Sequence, residues 1–241
     1  MISPRRASIL TVCILATATF TAVAASAQTD CLAQVCTPKR SLLVVGDSLT
    51  VGAHSFGDLD DKLTARNNWS RVRIDAAIGR KIPRGIEIVK DQMQRNPFTG
   101  GFIVALGTND LLSRRAVSYH QANIEALLKA AKGKPVLWVN VTYSVRRHAD
   151  YVERAKKFNA ILVTLKKKYP NLTIASWFDH FSTTSPYWSK KDGIHISTVA
   201  YRDRARFITS AAAAWWRKVT TPPTTIPATS STDTVTDPLP S

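Results

Sequence analysis

Short apolar runs recur along the chain, and several end in a cluster of small or polar residues. Leu42-Leu43-Val44-Val45 leads into Gly46-Asp47-Ser48, and Phe102 to Leu106 leads into Gly107-Thr108-Asn109-Asp110. Val72 to Ala77, Val136 to Val141 and Leu172 to Trp177 supply three more strand candidates. Helical patterns lie between them. Ser118-Tyr119-His120-Gln121 reads as a capping box, with Ser118 as N-cap and Gln121 reaching back from the third helical position. The helix it opens should run to about Ala131, with Gly133 past its end. A helix from near Asp150 puts Ala155, Phe158, Ile161, Leu162 and Leu165 on one face. It gathers Lys166, Lys167 and Lys168 where they suit the carboxyl end of the helix dipole. A last helix spans about Thr198 to Lys218. Strands alternating with helices predict an α/β fold, with a parallel sheet covered on both faces and right-handed crossovers.

The two ends of the chain break this pattern. Arg5 and Arg6 precede an apolar stretch from Ile9 to Ala24, and Ala25-Ser26-Ala27 follows. Residues 1–27 therefore read as a secretory signal, with an uncleaved anchor as the alternative. Residues 28–40 read as an irregular leader, 41–218 as the folded domain, and 219–241 as a disordered tail rich in Thr, Pro and Ser. At 241 residues the chain is long enough for one domain with a sizeable core. Export bears on the cysteines: Cys31 and Cys36 are candidates for a local disulfide. Gln28-Thr29-Asp30 before Cys31 does not fit a lipoprotein site.

The net charge of +16 suits anionic envelope polymers or lipid headgroups, or simply a well-solvated surface. Nucleic acid is disfavoured, since no nucleic-acid module is present and export argues against it. His54, His120, His148 and His180 lack metal-ligand spacing, no phosphate loop or dinucleotide fingerprint occurs, and no cofactor is implied.

The chemistry gathers at strand ends, where open α/β folds bind ligands. Ser48 offers a hydroxyl, which needs a base to become a nucleophile. His195 is the candidate base, and Asp192 sits close enough in sequence to fix its tautomer. The Asn109 amide, with the backbone N–H groups of Ser48 and Gly79, could stabilise an oxyanion. Tyr143, Arg146, Arg147 and His148 follow the fourth strand and could hold an anionic or sugar part of a substrate, or form a plain basic loop. Tyr187 and Trp188 either wall an acyl pocket or pack as core.

These residues give the chain its resemblance to the SGNH-hydrolase superfamily, the GDSL esterases and lipases. The family's blocks look like Gly46-Asp47-Ser48-Leu49, the glycine of Ile78-Gly79-Arg80, Gly107-Thr108-Asn109-Asp110, and Asp192-Gly193-Ile194-His195, in the family's order. The resemblance implies a flavodoxin-like three-layer fold with a central five-stranded parallel sheet. It implies Ser48 as nucleophile, His195 as base, Asp192 as its partner, and Ser48, Gly79 and Asn109 as the oxyanion hole. Ile78 stands where the family often has asparagine, and Ala200 where a glycine often precedes the tyrosine. The Ile-Gly-Arg form resembles SGNH domains of bacterial cell-envelope O-acyltransferases. The expected function is a secreted serine carboxylic-ester hydrolase with an ester-bearing small molecule, lipid or glycan as substrate. An O-deacetylase of carbohydrate or envelope substrates is its narrower form. The alternatives are an envelope O-acyltransferase using the same serine, and an exported non-catalytic protein that binds anionic polymers.

Overall fold

The computed structural model describes residues 40–221, apart from Asn68, Pro97, Phe98 and Arg114. The expectations for the signal segment, the leader, the Cys31–Cys36 pair and nearly all of the tail lie outside the described residues. The chain runs β1 (Ser41–Gly46), α1 (Ser48–Gly57), α2 (Leu59–Asn67), β2 (Arg71–Ala76), α3 (Ile82–Arg95), β3 (Thr99–Ala105) and α4 (Thr108–Leu111). It continues through α5 (Val117–Ala130), β4 (Val136–Val139), α6 (Val145–Lys168), β5 (Leu172–Ala175), α7 (Trp177–His180) and α8 (Thr198–Thr220).

The five strands form one parallel sheet in the order β2-β1-β3-β4-β5. Side chains that alternate along each strand serve two cores, as the pleat requires. Leu43, Val45, Phe102, Val104 and Trp138 pack with α3, α5 and α6. Leu42, Val44, Ile103, Ala105 and Leu137 pack with α1, α2 and α8. Strands β1 and β3 are buried on both faces, which explains why their sequences are apolar runs rather than alternating ones. Strand β2 lies at the sheet edge, and its Arg-Val-Arg-Ile pattern is correspondingly polar. The strand order reverses direction between β1 and β3, and Ser48 and Asn109 stand just beyond the carboxyl ends of those two strands.

Several local expectations need correction. Helix α5 begins at Val117 with extended Ala116 as its N-cap and no side-chain cap, so Ser118 does not cap it. Gln121 instead donates to Glu125 one turn on. The earlier start buries His120 and Ile124 against the core. Helix α6 begins at Val145 rather than near Asp150, with a non-helical kink at His148. Its first turn, Val-Arg-Arg-His, carries no apolar periodicity because loop backbone, not core, binds it: Val145 N–H donates to the Thr183 carbonyl. Strand β4 stops at Val139 and β5 at Ala175. Trp177 opens the short helix α7, because Asn140 Oδ1 accepts the Phe178 N–H at 2.8 Å and turns the chain out of the sheet.

Candidate active site

Ser48 is the first residue of α1 and is 8% exposed. Asp47 caps that helix, its carboxylate accepting the Leu49 N–H at 3.0 Å. Burial pushes the Asp47 carboxyl up, and the nearby charge of buried Arg204 draws it back. Burial likewise pushes the Arg204 guanidinium down, to about 10. This pair lay outside the sequence reading, since an arginine in an amphipathic helix gives no sign that it will be buried.

His195 Nε2 lies 3.0 Å from Ser48 Oγ, and His195 Nδ1 lies 2.8 Å from Asp192 Oδ2. The second oxygen of Asp192 accepts the backbone N–H groups of Ile194 at 2.9 Å and His195 at 3.0 Å. Partial burial tends to raise the Asp192 carboxyl, but these hydrogen bonds and the imidazole outweigh it and hold the group at about 2. A carboxylate ionised at every working pH thus orients one imidazole nitrogen and leaves the other facing the hydroxyl.

The loop that carries Asp192 and His195 is closed at its base by the Trp188–Ile196 bridge and by Ser189 N–H donating to the His195 carbonyl at 2.8 Å. The start of α6 holds its tip. Ser144 N–H donates to the Gly193 carbonyl at 3.0 Å, Arg147 donates to the Lys190 carbonyl, and the His148 ring bonds the Asp192 carbonyl. Gly193 has φ +61°, and a Cβ there would come within 2.6 Å of Arg147 Cβ. His148 stacks on Tyr151, Tyr151 packs on Tyr143, and the Tyr143 hydroxyl donates to the Thr108 carbonyl. This aromatic column joins the Asp192 loop to the segment that bears Asn109.

The column changes the assignments made for this edge. Tyr143 is fully buried and packs inside the protein, so it does not line a substrate surface. Arg147 and His148 are engaged with the Asp192 loop instead of standing free for a ligand. Trp188 is buried, donates its indole N–H to the Ser182 carbonyl at 2.9 Å, and packs edge-on against Phe181. Arg146 and Tyr187 remain exposed.

The remaining two blocks are tied to each other and to β1. Ala77 N–H donates to the Gly46 carbonyl at 3.2 Å, and Asn109 Nδ2 donates to the Arg80 carbonyl at 3.1 Å. Both oxygens of Asp110 accept the Ile82 N–H, at 3.1 Å each, at the start of α3. Burial pushes the Asp110 carboxyl up to about 6. Arg80, paired with Asp75 at 2.7 Å, anchors the Gly79 turn to the end of β2. Gly79 itself has φ +74° and faces open space, and Ile78 beside it is 81% exposed. The backbone N–H groups of Ser48 and Gly79 have no acceptor among the described residues. Asn109 keeps its second amide hydrogen free of the Arg80 bond.

Comparison with known proteins bears on the family and the fold. A sequence profile of the GDSL-like Lipase/Acylhydrolase family matches residues 44–202. The Bacillus subtilis (strain 168) protein named "Putative peptidoglycan O-acetyltransferase YrhL" is 24% identical over 157 residues, covering 65% of this chain. This chain spans only 21% of that relative's length. The lipase/acylhydrolase from Enterococcus faecalis has a similar fold, with TM-score 0.61 at 17% identity, over 73% of this chain and 96% of that one. The C-terminal catalytic domain of Streptococcus pneumoniae peptidoglycan O-acetyltransferase A, solved with a methylsulfonyl adduct, matches with TM-score 0.58 at 17% identity, over 75% of this chain and 94% of that one. The profile covers more than half of the chain, which therefore belongs to the GDSL-like Lipase/Acylhydrolase family.

Proposed function

We propose that this protein is a serine-type hydrolase of ester bonds that acts through Ser48, His195 and Asp192 and an acyl-enzyme, on O-acyl esters of carbohydrate or cell-envelope substrates outside the cytoplasm. The alignment of Ser48 Oγ, the two imidazole nitrogens and the Asp192 carboxylate, at 3.0 and 2.8 Å, carries the reading. His195 Nε2 takes the Ser48 proton as Oγ attacks the ester carbonyl. The negative charge moves onto the carbonyl oxygen, where N–H donors of Ser48, Gly79 and Asn109 receive it. The imidazolium, stabilised by Asp192, gives its proton to the leaving alcohol, and the acyl group stays on Ser48. Water, activated by the same imidazole, then releases the acid.

An O-acyltransferase differs only in the last step, where a sugar hydroxyl replaces water. The likeness to the Bacillus subtilis protein favours keeping this second reading. A purely binding role leaves the aligned serine, imidazole and carboxylate without a use. The basic surface and the expected signal segment support action in the envelope on an anionic polymer.

The test is turnover of aryl esters from acetate to palmitate by wild type and Ser48→Ala, with labelling by a serine-directed phosphonate. Labelling and turnover should vanish together in a folded Ser48→Ala protein. Unchanged turnover rejects Ser48 as nucleophile. Activity confined to acetate supports the deacetylase form, and acetyl sugar formed in competition with water supports the transferase.

A further inference from the structure

A second cleft opens among α4, the start of α5 and the middle of α6, with a volume of about 280 Å³. Its lining includes none of Ser48, Gly79, Asn109, Asp192 or His195. The buried side chains of Leu111, Phe158 and Ile161 form an apolar floor. Arg115, Arg154 and Lys157 supply positive charge, and no aspartate or glutamate is among the described residues that line the cleft. Arg154 is held in place by the Leu111 carbonyl at 3.1 Å and by Asp150 at 3.3 Å. Lys157 has no ion-pair partner among the described residues. His120, only 4% exposed, forms part of the wall, and its Nδ1 has no hydrogen-bond partner among the described residues. A buried polar atom without a partner is costly and uncommon in a finished core.

We propose that this cleft binds an amphiphilic anion: a carboxylate or phosphate head on a short hydrocarbon chain. Three cations against the single counter-charge of Asp150 favour an anion, and guanidinium groups match either head by paired hydrogen bonds. The apolar floor favours a hydrocarbon body over a bare ion. Both halves are required at once, which separates this site from a solvated basic patch and from a simple packing gap. The proposal is independent of the triad.

Binding is measured by titration calorimetry on the full chain, wild type and Ser48→Ala, with octanoate, n-octyl phosphate, octanol and acetate. Using Ser48→Ala separates this site from any occupancy of an acyl-enzyme site, so failure of the triad reading leaves the result intact. One amphiphile, octanoate or octyl phosphate, should bind at one site about tenfold or more tighter than octanol and acetate. The preferred head identifies the source as a fatty acid or a phosphorylated lipid. Arg115→Ala with Lys157→Ala, both exposed and outside the catalytic machinery, should weaken binding by about tenfold with aryl-acetate turnover unchanged. The ring nitrogen resonances of His120 should move with the same saturation curve. Octanol binding as well as octanoate, acetate binding as well as octanoate, or indifference to the paired charge removal would each overturn the proposal.

Discussion

The loop carrying Asp192 and His195 is held from outside at three of its residues, whereas the turn carrying Gly79 is held on one side only. Ser144, Arg147 and His148 grip the first through Gly193, Lys190 and Asp192. The second is tied through Ala77 and Arg80, and its tip, Ile78-Gly79, faces solvent. The difference fits the chemistry proposed for each. Proton transfer between Ser48 and His195 depends on a hydrogen-bond distance and an angle, and misplacement by about 1 Å can cost about 10² in rate. An N–H donor at a growing oxyanion can approach as substrate binds, so its turn can stay open on one face. The exposed Ile78 then becomes a surface that a bound substrate can cover.

The largest expected effect breaks the held side at its centre. Asp192→Asn keeps a side-chain oxygen for the Ile194 and His195 N–H groups but loses the carboxylate that faces Nδ1. Turnover of an aryl acetate should fall by about 10⁴ with the fold retained by circular dichroism, because the imidazole loses both its tautomer control and its counter-charge. A loss of only a few-fold would mean that the loop backbone, not the carboxylate, orients His195.

The next pair sharpens the comparison by making one change on each side. Gly193→Ala places a non-glycine residue at φ +61° and a Cβ within 2.6 Å of Arg147 Cβ. The conformation alone costs about 1–2 kcal/mol, and the clash must shift the Asp192 loop. Turnover should fall by about 10², and the melting temperature by at least about 2–4 °C. Gly79→Ala meets the same conformational cost at φ +74° but has nothing within 4 Å of the new Cβ. Its loss of stability should be the smaller, and its rate loss about tenfold or less, since the N–H need only tilt. Equal losses in the two variants would show that the two loops are constrained alike.

The asymmetry also marks what could be read before any coordinates. Residues proposed to act through their own chemical type, namely Ser48, Asp192, His195 and Asn109, were legible, because the proposed chemistry needs those groups. The sheet was legible from apolar runs, since β1 and β3 are covered on both faces. Ser144, Arg147 and His148 were not. Ser144 acts through a backbone N–H, and Arg147 and His148 grip backbone carbonyls 43 and 44 residues away, which leaves no local pattern. Tyr143 looked available because it follows a strand toward the site edge. Only the packing with Tyr151 and the bond to the Thr108 carbonyl make it interior. Ser118 misled for a related reason: burial of His120 and Ile124 set the start of α5, overriding a plausible cap.

The mildest effect on turnover is expected at Asp110, where the readout is stability against pH. This carboxyl bridges the Asn109 segment and the first turn of α3 through the Ile82 N–H. Burial raises it from 3.8 in the unfolded chain to about 6 in the fold. The folded protein therefore holds this proton more tightly than the unfolded chain does. Its contribution is fully present below about pH 4 and is lost as pH rises through about 6. The difference, integrated over that window, is at most about 3 kcal/mol. Asp110→Asn keeps an acceptor for Ile82 and removes the titration. Urea unfolding from pH 4 to 8 should show wild type losing stability relative to Asp110→Asn across that range, with the two curves running parallel above pH 7. Curves parallel throughout would mean that the carboxyl titrates alike in the folded and unfolded chain, and wild type gaining stability relative to Asp110→Asn would reverse the sign argued for its burial.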